Sequence, residues 1–133
     1  MSTLNLETAT RVLTAGQEAA AGIGVAMNIA VVDTAGNLVT FSRMDGAWIG
    51  SIDVALKKAK TSALFPMPTA AIGGLSQPGG PIYGIESTNG GLISFGGGVP
   101  LTAGDGTVVG AIGVSGGMID QDVAVAEAAA KAL

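Results

Sequence analysis

Residues 78–101 read PGGPIYGIESTNGGLISFGGGVPL, and this segment holds far more glycine than a regular strand or helix contains. A glycine inside a regular element costs about 0.5–1 kcal/mol relative to alanine, so this density indicates positive φ angles or close backbone approach. We call residues 78–101 the glycine-rich segment. Its one charged residue is Glu86. The pattern predicts two glycine-shaped loops around a strand, which hold the Glu86 carboxylate and the Asn89 amide beside a cavity or a subunit contact.

The chain of 133 residues has the length of one domain, which we place at residues 1–133. It contains neither cysteine nor histidine. The absence of cysteine excludes disulfides, thiolate metal sites and a cysteine nucleophile. The absence of histidine removes the commonest general base and a common haem ligand. Any chemistry must use carboxylates, lysines, arginine, hydroxyls, amides, methionine sulfur or the backbone.

The charge balance bounds the partners of the protein. Six basic and ten acidic residues give a net charge of -4, which repels a phosphate backbone and predicts no nucleic-acid partner. With 12% charged and 48% hydrophobic residues, we expect a homo-oligomer that buries apolar surface between subunits. Prolines and glycines interrupt the longest uncharged stretch, residues 61–85, so no membrane span is expected. No signal-peptide pattern is evident, and the default prediction is a cytoplasmic protein.

Hydrophobic periodicity predicts an alternation of helices and hairpins. A first helix begins at an Asn5 cap and ends near Gly22, and residues 27–32 and 38–44 form a hairpin. Ser51 is predicted to cap a second helix, which stops before Pro66. Residues 91–102 and 107–115 form a second hairpin, and Asp120 caps the last helix. This order predicts an α+β domain with an antiparallel sheet backed by helices.

Several blocks of the sequence, in this order, carry a family resemblance. They include AVVD at residues 30–33, RMDGA at 43–47, PGGP at 78–81, FGGGVP at 95–100 and GAIGVSGG at 110–117. With them the chain resembles the GlcG/HbpS-like family, also called the haem-degrading domain family, which is related to the C-terminal domain of the PduO-type corrinoid adenosyltransferase. The resemblance implies a profilin-like or PAS-like fold with a five-stranded antiparallel sheet. It also implies assembly into dimers to octamers and a tetrapyrrole ligand, haem or cobalamin.

Because the chain has no histidine, a bound haem iron would need methionine, tyrosine or a hydroxyl as its ligand. The sulfur candidates are Met27, Met44, Met67 and Met118, and the phenolate candidate is Tyr83. A methionine in such a chain is usually core filler. We therefore expect Tyr83, inside the glycine-rich segment, ahead of the methionines.

Four charged residues are candidates for binding or chemistry. Arg43 has the geometry to clamp a carboxylate with two hydrogen bonds, or it pairs with an acid such as Asp45 to fix a loop. Lys60 is either functional or a solvated helix residue. Glu86, in an apolar setting, can act as a general acid or base, or it accepts hydrogen bonds from neighbouring glycine amides.

The uncharged candidates lie in the glycine-rich segment. Asn89 either makes a turn or offers its amide to a ligand. The run Gly96, Gly97 and Gly98 can form an anion-binding nest, although the lysine of a P-loop does not follow it.

Three functions remain open at this point. The first is a small-molecule-binding oligomer with a pocket between the sheet and the glycine-rich segment. The second is a cofactor-independent catabolic enzyme for a small organic acid, with Glu86 as acid and base and Arg43 as carboxylate clamp. The third is an accessory or structural subunit. We favour binding, because the sequence shows no nucleophile–base pair and no cluster of metal ligands.

Overall fold

The computed structural model describes residues 3–133. The elements in chain order are α1 (Leu6–Gly22), β1 (Asn28–Val32), β2 (Leu38–Arg43), α2 (Gly50–Leu64), α3 (Thr69–Leu75), a 3-10 turn (Ile85–Ser87), β3 (Gly98–Thr102), β4 (Val108–Ser115) and α4 (Ile119–Ala130). Within that range no helix has both the length and the apolar character that a bilayer crossing requires. The prediction of an α+β fold is confirmed.

The strands form one antiparallel sheet in the order β2-β1-β4-β3. Both predicted hairpins are present, and β4 joins them by pairing with β1. Residues 3–133 contain four strands, whereas the resemblance implied five. The predicted strand from residue 91 is also too long, because β3 begins only at Gly98. Positive φ angles at Gly91 and Gly97, 110° and 128°, turn the backbone out of the extended conformation.

Helices cover both faces of the sheet, so the fold has three layers. α1 and α4 pack on the face that carries Ile29, Val31 and Ile112. α2 packs on the opposite face, over Ala30 and Ala111. All five residues of β1 are therefore buried. The sandwiched strand reads as a continuous apolar run after Asn28, as expected for a strand buried on both faces.

α2 lies unusually close to the sheet at Gly113. A Cβ at Gly113 would stand 2.1 Å from the Ala55 carbonyl oxygen and 2.5 Å from the Ala59 amide nitrogen. Only glycine allows this approach. The absence of a side chain at Gly113 of β4 thus allows α2 to pack closely on the sheet.

One of the three predicted helix caps is confirmed. The Asn5 carboxamide oxygen accepts a hydrogen bond from the Thr8 amide at 2.8 Å. The Ser51 prediction is wrong, because the chain is already helical at Ile49 and Ser51 is buried inside α2. The Asp120 prediction is wrong as well: α4 begins at Ile119, and Asp120 lies in its first turn. In both cases the helix starts earlier than the capping pattern indicates.

Candidate functional site

Hydrogen bonds hold the glycine-rich segment against α2. Lys60 Nζ donates a hydrogen bond to the Asn89 carbonyl oxygen. Thr61 Oγ1 accepts from the Ile93 amide at 3.0 Å and donates to the Lys57 carbonyl oxygen at 2.7 Å. Lys60 and Asn89, both named from the sequence, are thus brought together. Their contact holds a loop in place.

Glu86 lies in the 3-10 turn Ile85–Ser87. Its Oε1 is buried and has no hydrogen-bond partner in residues 3–133, while its backbone carbonyl accepts from the Leu92 amide at 3.0 Å. Asn89 adopts a left-handed φ of 53°, and its side-chain amide donates to Thr88 Oγ1 at 3.1 Å. Asn89 therefore performs the turn role that was one of its two predicted roles. Tyr83 is largely exposed on the preceding loop.

Arg43 and Asp45 are both exposed at the end of β2. They line a shallow depression together with Glu18 and its neighbours on α1. No hydrogen bond or ion pair in the described chain joins Arg43 to Glu86. No such polar interaction supports the proposed catalytic pair, and the joint action of Arg43 and Glu86 stays a prediction.

A buried ion pair lies beneath the glycine-rich segment, and the sequence reasoning did not identify it. Lys58 Nζ is fully buried and donates to Asp122 Oδ2 at 3.0 Å and to the Val114 carbonyl oxygen at 2.9 Å. It also lies 5.0 Å from the centre of the Phe95 ring. Burial lowers the pKa of Lys58, and the neighbouring Asp122 charge opposes that shift.

The positions of Lys58 and Asp122 relative to the apolar residues of their helices indicate that both are buried. Lys58 follows Ala55 by three residues, and Asp122 precedes Ala126 by four, so each charge stands on the apolar side of its helix. Lys57 and Lys60 lie on the other surface of α2, where Lys57 Nζ pairs with Asp53 Oδ2 at 3.0 Å.

The run Gly96 to Gly98 is buried against this ion pair and its surroundings. A Cβ at Gly97 would stand 2.5 Å from Lys58 Nζ, and one at Gly98 would stand 2.5 Å from the Lys58 carbonyl oxygen. The Gly98 amide donates to Thr69 Oγ1 at 2.9 Å and is not free to bind an anion. These glycines allow close packing inside the subunit, which is a simpler role than the predicted nest.

Five large apolar side chains are exposed near the end of β4. They are Trp48, Ile49, Phe95, Met118 and Ile119, and we call them the apolar rim. Met118 is 70% exposed and Trp48 68% exposed, which is unusual for side chains of this size. Sequence reasoning named Met118 as a sulfur candidate and did not identify the other four.

Backbone contacts place the members of the apolar rim at one end of the molecule. Asn28 Nδ2 donates to the Trp48 carbonyl oxygen at 2.9 Å, and Asn28 pairs with Ser115 at the end of β4. Met118 follows Ser115 by three residues. A Cβ at Gly96 would lie 3.3 Å from Ile119 Cγ2, so the backbone next to Phe95 touches the start of α4.

The sulfur and phenolate candidates for an iron ligand differ in accessibility. Met27 is fully buried, and Met44 Sδ accepts a hydrogen bond from the Met27 amide at 3.4 Å. Met67 is partly buried. Met118 and Tyr83 are the two exposed candidates. A thioether within an apolar surface fits a haem, because the macrocycle is flat and apolar and its iron accepts methionine sulfur.

Comparisons with known proteins agree on one family. A family model described as haem degrading protein HbpS-like matches residues 4–131. A 15.0 kDa protein from the dhaT-dhaS intergenic region of Citrobacter freundii is 38% identical over 130 residues, which cover 97% of this chain and 91% of that protein.

Two solved structures are similar over the whole fold. The PduOC:haem complex superimposes with a TM-score of 0.92 at 32% identity and covers 99% of this chain and 96% of its own. A double mutant of HbpS from Streptomyces reticuli gives a TM-score of 0.89 at 36% identity, over 100% of this chain and 88% of its own.

Proposed function

This chain belongs to the HbpS-like family, and on that basis we propose that it binds haem at the apolar rim, with Met118 as a ligand to the iron. The observation that carries the proposal is the exposure of the Met118 side chain among four other exposed apolar side chains. Surface of this kind is costly unless it is covered, and a porphyrin face covers it well. The similarity to PduOC, whose structure is a haem complex, supports the same ligand class.

Arg43 provides a cation for a haem propionate. Asn28 pairs with Arg43 on one side and with Ser115 on the other, so Arg43 lies in the row of residues that crosses the sheet toward Met118. Its guanidinium has no ion-pair partner in residues 3–133. Arginine binds carboxylates through two parallel hydrogen bonds. Arg43 would therefore bind a carboxylate, as the sequence predicts, and that carboxylate would be a haem propionate.

Met118 and Tyr83 would give different iron sites. A thioether ligand favours reduced iron and raises the reduction potential, whereas a phenolate is the ligand found in catalase. Bound haem would supply the redox-active iron, and this chain would supply one ligand, the apolar contact and the propionate clamp. Tyr83 stays the alternative ligand, since it is the other exposed candidate. A homo-oligomeric state and a cytoplasmic location stay predictions from the sequence.

Titration with haemin tests the proposal. We expect a sharpened and shifted Soret band that saturates near one haem per subunit. Met118→Leu should weaken binding by about tenfold or more and shift the band, because it removes the thioether and keeps the apolar volume. Met67→Leu is the matched control, since Met67 lies outside the apolar rim, and its titration should equal that of the wild type.

Two results would count against this assignment. A broad absorbance rise without saturation would show adsorption to apolar surface and would remove haem as the specific ligand. An unchanged spectrum in Met118→Leu, together with a changed one in Tyr83→Phe, would move the iron ligand to Tyr83.

A further inference from the structure

We propose that the buried Lys58–Asp122 ion pair is a positioning device, which couples the backbone on both sides of the apolar rim and sets Phe95 and Met118 for the ligand. The inference rests on the proposed haem function for its ligand, and on the contacts of the pair for its geometry. Neither Lys58 nor Asp122 would contact the bound ligand, because both side chains are buried beneath the apolar rim.

Lys58 supports the Phe95 side of the apolar rim. Its ammonium group lies 5.0 Å from the centre of the Phe95 ring, within the range of a cation–π contact. The backbone after Phe95 closes over the same group, since Gly97 has no room for a Cβ above Lys58 Nζ. The Gly97 carbonyl oxygen accepts from the Val114 amide at 2.9 Å, and Lys58 binds the Val114 carbonyl. The position of Phe95 therefore depends on Lys58.

Asp122 supports the Met118 side. Its Oδ2 pairs with Lys58, and its Oδ1 accepts a hydrogen bond from the Gly117 amide at 2.9 Å. Gly117 immediately precedes Met118, whose own amide donates to Gln121 Oε1 at 2.9 Å. One carboxylate thus links Lys58 in α2 to the backbone that presents the proposed iron ligand.

The energetics of buried pairs favour a geometric role. Removing two charges from water costs about as much as their attraction returns, and apolar replacements of similar volume are often neutral or stabilising. Stability alone therefore gives little reason for a Lys58–Asp122 pair in this position. The geometry that the pair imposes on Phe95 and Gly117 is a property that an apolar pair would lack.

The double variant Lys58→Met/Asp122→Leu tests the inference in the full chain. It removes both charges together, so no unpaired charge stays buried. We expect a folded protein in which the Gly117 amide exchanges hydrogen at least about tenfold faster, because its acceptor is gone. We expect haemin to bind about tenfold more weakly with a shifted Soret band. The matched control is Lys57→Met/Asp53→Leu, which removes the exposed pair of the same helix and should change neither readout.

The two readouts separate the two claims. Unchanged Gly117 exchange and unchanged haemin binding in the double variant would overturn the positioning role. If wild-type protein binds no haemin, the proposed function fails, and faster Gly117 exchange would still support the coupling. Should the double variant not fold, Lys58→Met/Asp122→Asn replaces it, because it leaves no buried charge, keeps an acceptor for the Gly117 amide and removes the contacts of Lys58 with residue 122 and with the Phe95 ring. Wild-type haemin affinity and spectrum in Lys58→Met/Asp122→Asn would also overturn the inference.

Discussion

At Gly97 the backbone adopts a φ of 128° and leaves no space for a side chain. A Cβ would stand 2.5 Å from Lys58 Nζ and 2.6 Å from the Val114 carbonyl oxygen. The Lys58 ammonium group can move aside, because it is the end of a flexible side chain. The Val114 carbonyl group cannot move, because it belongs to β4 in the interior of the sheet. Glycine is therefore required here for two independent reasons, conformation and space.

Gly97→Ala is expected to lower the free energy of unfolding by about 2–4 kcal/mol, because strain and a backbone clash act together. Urea denaturation followed by circular dichroism measures the loss. Gly74→Ala is the control: it lies in α3 with nothing within 4 Å of its Cβ position and should be neutral or more stable by about 0.5–1 kcal/mol. Equal stabilities of the two variants would contradict the packing described for Gly97.

At the scale of elements, α2 presents different residues to different neighbours. Lys57, Lys60 and Thr61 contact residues 89–93 of the glycine-rich segment. Lys58 instead lies beneath residues 95–98, in the space between α2, β4 and α4. Successive helix residues are rotated by about 100°, so adjacent lysines reach opposite environments. The helix therefore holds both the outer loop and the buried ion pair.

Thr61→Val tests the attachment of the glycine-rich segment to α2. Valine keeps the shape of threonine but leaves the Ile93 amide without its acceptor, which should cost about 1–3 kcal/mol of unfolding free energy. Hydrogen exchange at Ile93 should accelerate in the same variant. Thr10→Val on the exposed side of α1 should stay within about 0.5 kcal/mol of wild type. Slow Ile93 exchange in Thr61→Val would show that other contacts hold the segment.

At the scale of the whole molecule, apolar surface exceeds what a small monomer usually exposes. Ten large hydrophobic side chains are exposed within residues 3–133, and only 12% of the residues in the sequence are charged. Such surface is normally covered by a ligand or by another subunit. Among the exposed apolar residues outside the apolar rim, Leu6 and Ile23 stand at opposite ends of α1, about 25 Å apart along the helix axis, which is too far for one haem to cover both.

Native mass spectrometry should therefore show a homo-oligomer, with a mass that is a multiple of the 12.9 kDa subunit. The measurement is made on protein purified without added cofactor, so that any retained ligand appears as extra mass per subunit. A monomer at every concentration would contradict the prediction and would leave the apolar surface to ligands alone. Retained mass of haem size would support the proposed function independently of the titration.

Local chemistry let the sequence determine most of the helices, the two hairpins and the need for glycine at residues 96–98. The Asn5 cap bonds a residue three positions away, and the Asp105 carboxylate of the second hairpin turn accepts from the Thr107 amide at 2.9 Å. These interactions join near neighbours, so the residues concerned are visible together in the sequence. The family resemblance implied the correct fold class. It also implied five strands, whereas residues 3–133 contain four.

Only the tertiary structure decided what the glycines approach and where the candidate site lies. Lys58 and Asp122 are 64 residues apart, and their pairing depends on which helix packs on which face of the sheet. The apolar rim likewise joins the starts of α2 and α4 to Phe95, although the three are remote in sequence. Periodicity tells which side of a helix is apolar, but a buried charge on that side is explained only by the partner that the fold brings to it.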